Sequence, residues 1–131
     1  MIEGLSRLAV ITVFAEDLAA TKAFYTDVFG LKVVHEDDAS AVVTLDNLMI
    51  NVLAAANAPE VVAPSSVGDA DAGPRTLFTI EVNDADAVCA QLAEHGVRLL
   101  NGPVDRPWGR RTAAFADPAG NVWEIAQVLE G

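Results

Sequence analysis

The two histidines and the single cysteine are the first residues to consider for catalysis, because these types often act as bases, nucleophiles or metal ligands. His95 lies where a helix is predicted to end, His35 closes a predicted strand, and Cys89 occupies an apolar position of a predicted helix. All three positions favour structural roles. The sequence has no Gly-x-Ser-x-Gly, P-loop, Gly-x-Gly-x-x-Gly or Cys-x-x-Cys motif, so motifs give no support to nucleophilic, phosphoryl-transfer or nicotinamide chemistry.

Polar and aromatic residues near the carboxyl end are better suited to binding than to catalysis. Glu124 could meet a polar or cationic ligand, or it could pair with a nearby arginine. Trp108 offers a stacking surface for planar or cationic groups, or it pins a loop by packing. Arg106, Arg110 and Arg111 could hold a carboxylate or phosphate. In a chain of net charge −11, internal ion pairs are the simpler expectation for these arginines.

Length and composition predict one small domain spanning residues 1–131, with 52% hydrophobic residues to form a core. No signal peptide and no apolar run long enough to span a bilayer are evident, so we expect a cytoplasmic protein that does not enter a membrane. A single cysteine excludes an internal disulfide. The negative charge would repel nucleic acid and attract a cationic ligand, although it could also serve solubility alone.

Hydrophobic periodicity in the first half predicts one helix among four strands. Residues 7–14 alternate as a strand, Glu16 and Asp17 can cap the helix that follows, and Gly30 suits its end. Residues 31–35 form the next predicted strand, and residues 41–45 and 48–53 form a hairpin.

The second half repeats this order of elements. A strand is predicted at 77–82, a cap at Asn83 and Asp84, a helix at 85–95 ending at Gly96, a strand at 97–100, and a hairpin of 111–116 and 121–128. The sequence therefore predicts a duplicated βαβββ module, at about 6–53 and 75–129. The linker between them, 54–74, is rich in Pro, Ala, Ser and Gly, and it could be a lid, a dimer contact or a mobile loop.

Two motifs flank this duplication. The first runs from Ala15-Glu16-Asp17-Leu18 through Phe24-Tyr25 to Phe29-Gly30-Leu31. The second runs from Pro107-Trp108-Gly109-Arg110 to Asp117-Pro118-Ala119-Gly120-Asn121. In this order they resemble the opening and closing patterns of the glyoxalase/bleomycin-resistance/extradiol-dioxygenase (vicinal oxygen chelate) superfamily. The resemblance covers nearly the whole chain except the linker.

The resemblance implies an α+β fold in which two βαβββ modules form an incomplete barrel around a cavity, with the helices outside. It also implies a small-molecule ligand in the cavity and a C2 homodimer. Enzymes of the superfamily hold a divalent metal through His and Glu side chains, one from the first strand and one from the last strand of each module.

Aligning the repeats assigns the four metal positions to Val10, Asn51, Leu77 and Glu124. Only Glu124 is a usual ligand, and shifting either first strand by one residue restores none. We therefore expect no metal and no cofactor. A weak oxygen site between Glu81 and Glu124 remains an alternative.

The sequence thus predicts a metal-independent protein that binds a small, cationic organic molecule, with bleomycin-like antibiotics as first candidates by resemblance. The predicted ligand-binding residues are Trp108, Glu124, Asn51, Val10, Leu77, Thr12 and Thr79. One alternative is a metal-dependent glyoxalase, lyase, isomerase or dioxygenase of the same superfamily. Another is a metal-free enzyme that uses Glu124 or Glu81 as a base.

Overall fold

The computed structural model describes residues 1–130, which divide into two units at Asp69 and Ala70. The first unit contains β1 (Val10–Ala15), α1 (Leu18–Asp27), β2 (Lys32–Glu36), β3 (Ser40–Thr44) and β4 (Met49–Ala54). Its sheet has the order β1-β4-β3-β2. Strand β1 runs parallel to β4, and the other neighbours are antiparallel.

The second unit repeats this arrangement. It contains β5 (Leu77–Glu81), α3 (Ala85–Glu94), β6 (Leu99–Arg106), β7 (Arg110–Ala116) and β8 (Val122–Val128). Its sheet has the order β5-β8-β7-β6, and β5 is parallel to β8. The expected α+β fold of two βαβββ modules is therefore confirmed.

Both long helices begin where the sequence predicts, whereas α1 ends at Asp27, three residues before Gly30. The carboxylate of Asp17 accepts from the Ala20 N–H at 3.0 Å, and that of Asp84 accepts from the Ala87 N–H at 3.0 Å. Each bond satisfies an amide that the first turn of a helix leaves without a backbone partner. After α3, Gly96 takes a φ of +75°, which glycine adopts without the steric cost that other residues bear.

Each unit has its own core between its long helix and one face of its sheet. In the first unit the fully buried side chains include Tyr25 of α1 with Val43, Ile50 and Val52 of the sheet. In the second unit Cys89 and Leu92 of α3 are buried, as are Phe115, Trp123 and Ile125. We call the opposite side of each sheet, which turns away from that unit's own helix, the first open face and the second open face.

Strands β1 and β6 differ most from the sequence predictions. Strand β1 begins at Val10 rather than at residue 7. Strand β6 begins at Leu99 and continues to Arg106, well beyond the predicted end at residue 100. Residues 101–103, Asn-Gly-Pro, are a turn-like sequence inside this strand. Pairing with β7 nevertheless continues past two register irregularities in this stretch.

The segment 54–74 contains more regular structure than its composition suggests. A single 3-10 turn spans Ala55–Asn57, the short helix α2 spans Pro59–Val62, and another 3-10 turn spans Ala70–Ala72. Residues up to Asp69 belong to the first unit. Across residues 1–130, no helix is long and apolar enough to cross a membrane.

Candidate functional site

Glu124 lies on the second open face and is held there by a threonine. Strand β5 pairs Thr79 with Glu124, and the Thr79 hydroxyl donates to Glu124 Oε1 at 2.9 Å. The other carboxylate oxygen of Glu124 has no hydrogen-bond donor within residues 1–130. A half-buried carboxylate fixed through one oxygen can accept a strong hydrogen bond from a ligand through the other.

Arg106 also lies on this face, and two polar neighbours fix its guanidinium group. Its Nε donates to the buried Thr112 hydroxyl at 2.9 Å, and its Nη2 donates to Asn101 Oδ1 at 3.2 Å. The guanidinium carbon lies 6.0 Å from the centre of the Trp108 ring, within reach of a cation–π contact. Trp108 occupies the turn between β6 and β7, where it is 65% exposed. The exposed ring is therefore available for stacking, with one cation already beside it.

Arg111 points to the helix side of the same sheet and is engaged in ion pairs. It contacts the Asp105 carboxylate through Nε at 2.7 Å and Nη2 at 3.3 Å, and Asp86 of α3 through Nη1 at 3.0 Å. The hydrogen bond from Arg111 lowers the pKa of Asp105 below its ordinary value. The expectation of internal ion pairs therefore holds for Arg111, whereas Arg110 donates to the Gly109 carbonyl oxygen at 3.2 Å.

Strand register separates the two predicted contact points of the second open face. Arg110, next to the Trp108 turn, pairs with Val128, which lies four residues beyond Glu124 on β8. At about 3.3 Å per residue, the two ends are separated by about 13 Å along the strand. A single ligand that contacts both Trp108 and Glu124 must be extended.

The first open face is less polar. Thr12 pairs with Asn51, and Val10 pairs with Met49. Val10 and Met49 are 39% and 37% exposed. The Oδ1 atom of Asn51 is buried and has no hydrogen-bond donor among the described residues. A buried acceptor without a donor is costly unless water or a ligand supplies one.

The residues at the four superfamily metal positions do not fit a divalent metal. Val10 and Leu77 have no donor atom, Asn51 offers a neutral oxygen, and one oxygen of Glu124 already accepts from a threonine. No group of three His, Cys, Asp or Glu side chains within residues 1–130 is arranged to hold a metal ion. Glu81 shares the second open face with Glu124, but two carboxylates alone make a weak site.

The remaining predicted residues are placed as follows. Leu77 is 51% exposed and begins β5 two residues before Thr79. His35 is exposed and lies 3.8 Å from Asp37, and His95 caps the end of α3, so neither belongs to the candidate site. Asn101 and Thr112, which position Arg106, were not predicted from the sequence. Their partnership depends on the register of β6 and β7, which no local motif signals.

Comparison with known proteins agrees with the resemblance seen in the motifs. The Bacillus subtilis (strain 168) protein YraH, itself uncharacterised, is 29% identical over 127 residues, covering 94% of this chain and 99% of YraH. A lactoylglutathione lyase from Agrobacterium tumefaciens has a similar fold, with a TM-score of 0.76 and 22% identity over 95% of this chain and 96% of its own.

TnmS3, an antibiotic-binding protein from Streptomyces sp. CB03234, is also similar in structure. Its TM-score is 0.72 and its identity is 25%, covering 97% of this chain and 99% of TnmS3. The model of one protein family matches residues 7–125. With nearly the whole chain matched, this protein belongs to the Glyoxalase/Bleomycin resistance protein/Dioxygenase superfamily.

Proposed function

We propose that this protein binds a small organic molecule on the second open face without a metal ion. The observation that carries the proposal is the Thr79–Glu124 hydrogen bond, because it fixes a carboxylate with one open oxygen. The family resemblance assigns this same position to a metal ligand. Similarity to TnmS3, an antibiotic-binding protein, supports a ligand of antibiotic type. Bleomycin-like and other cationic antibiotics are the first candidates.

The two ends of the face favour different parts of such a ligand. An ammonium or amine N–H would complement the open oxygen of Glu124, since a charge-assisted hydrogen bond is stronger than a neutral one. The Trp108 ring already has the Arg106 guanidinium beside it. A second cation there would be repelled by Arg106, so a neutral planar group is the better partner for Trp108. The proposed ligand is therefore cationic at one end, planar at the other, and extended over about 13 Å.

Calorimetric titration in buffer containing a chelator tests this proposal directly. Bleomycin-family compounds and other extended, cationic aromatic compounds should bind, and Glu124→Gln should weaken binding by about 10- to 100-fold, as loss of a charge-assisted hydrogen bond does. Glu94→Gln is the matched control, because it removes the same charge from an exposed position on α3. If no compound binds more tightly than about 1 mM, antibiotic binding must be abandoned.

Truncated ligands test the two-ended arrangement. A compound that retains the amine but lacks the planar end should lose affinity, and Trp108→Ala should no longer affect it. If Trp108→Ala weakens the short compound as much as the long one, the two contacts do not belong to one extended site.

Metal analysis separates this proposal from the metal-dependent enzymes of the superfamily. Protein purified without chelator should contain less than one equivalent of zinc, nickel, iron or manganese per chain. One stoichiometric ion that is lost on Glu124→Gln would favour a metal-dependent lyase, isomerase or dioxygenase instead.

We also propose a C2 homodimer, and sedimentation as a monomer at micromolar concentration would contradict it.

A further inference from the structure

A cavity lies within the first unit. It has a volume of about 240 Å³ and lies between the segment 55–69 and the turn that joins β1 to α1. Five of its lining residues have apolar side chains, namely Ala55, Ala58, Pro59, Val62 and Val67. The Val62 N–H donates to the Ala58 carbonyl at 3.0 Å, and Ala58 is fully buried, so this wall is an ordered part of the unit.

The rest of the lining is polar and carries negative charge. Glu16, Ser65, Ser66 and Asp69 contribute two carboxylates and two hydroxyl groups. Glu16 is exposed, and its carboxylate makes no hydrogen bond or ion pair with any of residues 1–130. The two serine hydroxyls likewise have no partner there. None of the described lining residues is Lys, Arg or His, and the Glu16 carboxylate has no cationic partner among residues 1–130.

This combination selects one class of ligand. The volume is below the roughly 300–1,000 Å³ of drug-sized sites, so the ligand must be small. The lining has no aromatic ring to surround a quaternary ammonium group. A bare metal ion gains nothing from five apolar wall residues, and metal sites take oxygen, nitrogen or sulfur ligands.

We infer that this cavity binds a small primary or secondary ammonium ion with a compact apolar body. The ammonium N–H groups donate to Glu16 and to the neighbouring hydroxyls, and the apolar body packs against Ala55, Pro59 and Val62. The net charge of −11 raises the local concentration of any cation and so favours the same class of ligand.

An NMR titration of the ¹⁵N-labelled full chain with cyclohexylammonium chloride tests the inference. Saturable shifts are expected at the amides of Glu16 and residues 65–69. Cyclohexanol, which has the same ring but no charge, should bind at least about tenfold more weakly at matched ionic strength. Absence of saturable shifts at these amides would overturn the inference, and so would equal affinity for cyclohexanol.

Two variants localise the charge that matters. Glu16→Gln should weaken cyclohexylammonium binding about tenfold or more without affecting the fold, because the Glu16 side chain has no partner to lose. Glu60→Gln removes the same charge from an exposed residue of the same segment that does not line the cavity, and it should change little. An equal loss in both variants would show only general attraction to a negative surface. Glu124→Gln should leave this affinity unchanged, so this inference and the proposed function can fail separately.

Discussion

Replacing Asp117 with alanine should destabilise the second unit substantially. Asp117 is 4% exposed, and its carboxylate accepts hydrogen bonds within the β7–β8 turn. Oδ1 accepts from the N–H groups of Ala119 and Asn121, both at 2.9 Å, and Oδ2 accepts from Asn121 Nδ2 at 2.8 Å. A hydrogen bond to a charged group contributes about 1.5–3 kcal/mol. Once the Asp117 side chain is removed, water can hydrate part of the turn and replace some of these hydrogen bonds. We therefore expect the free energy of unfolding to fall by about 2–4 kcal/mol.

The first module supplies a matched control for this variant. Asp46 occupies the corresponding β3–β4 turn, is exposed, and accepts no hydrogen bond among residues 1–130. Asp46→Ala should therefore change the free energy of unfolding by no more than about 0.5 kcal/mol. Asp117→Asn should fall between the two, because it retains one oxygen acceptor and presents an N–H₂ group to Asn121.

Urea unfolding followed by tryptophan fluorescence measures this effect in the relevant unit. Both tryptophans lie in the second unit, and Trp123 is 2% exposed while Trp108 is already exposed, so the signal reports mainly on Trp123. The free energies of unfolding can be compared directly if each variant has the wild-type dependence of unfolding free energy on urea concentration. If the free energy of unfolding of Asp117→Ala lies within about 0.5 kcal/mol of the wild-type value, the carboxylate does not stabilise this turn as argued. The same conclusion follows if Asp46→Ala lowers the free energy of unfolding as much as Asp117→Ala does.

Three further predictions concern stability. Asp17→Ala and Asp84→Ala should each cost about 1 kcal/mol in urea unfolding, because each removes the side-chain acceptor of a helix N-terminus. Gly102→Ala should lower the Tm by more than about 6 °C in calorimetry, since its φ is +83° and a Cβ there would collide with the backbone of β7. The hydrogen bond from Arg111 lowers the pKa of Asp105 in the folded state. Ionised Asp105 therefore stabilises the fold fully at a pH above its unfolded pKa of about 3.9, and this contribution is lost as the pH falls toward the folded pKa. Arg111→Met should therefore flatten the fall in unfolding free energy below about pH 5, and an unchanged slope would contradict this coupling.

Sequence reasoning succeeds here wherever the signal is local. Asp17 and Asp84 cap helices through amides three residues away, and Gly96 takes a positive φ directly after a helix. Such features depend only on neighbours in the chain, so residue type and spacing reveal them. The duplicated order of elements reinforced each assignment, because the same pattern occurred twice.

Features that depend on distant partners could not be predicted in the same way. Arg111 pairs with Asp86, 25 residues away on α3, and nothing in their spacing indicates this contact. The continuation of β6 through Gly102 depends on pairing with β7, which overrides a local turn signal. Glu124 was identified because the repeat located it, whereas its bond to Thr79 required the parallel register of β5 and β8.

The compact segment after β4 has a consequence for how this chain can diverge from its relatives. Residues 55–69 belong to the first unit, and none of them lies in a strand. Substitutions there leave the strand pairing of the first sheet untouched. Duplicated modules ordinarily evolve under the same packing constraints, but this appendage gives the first copy a surface of its own. Selection can reshape this surface while the strand pairing of the first sheet is retained.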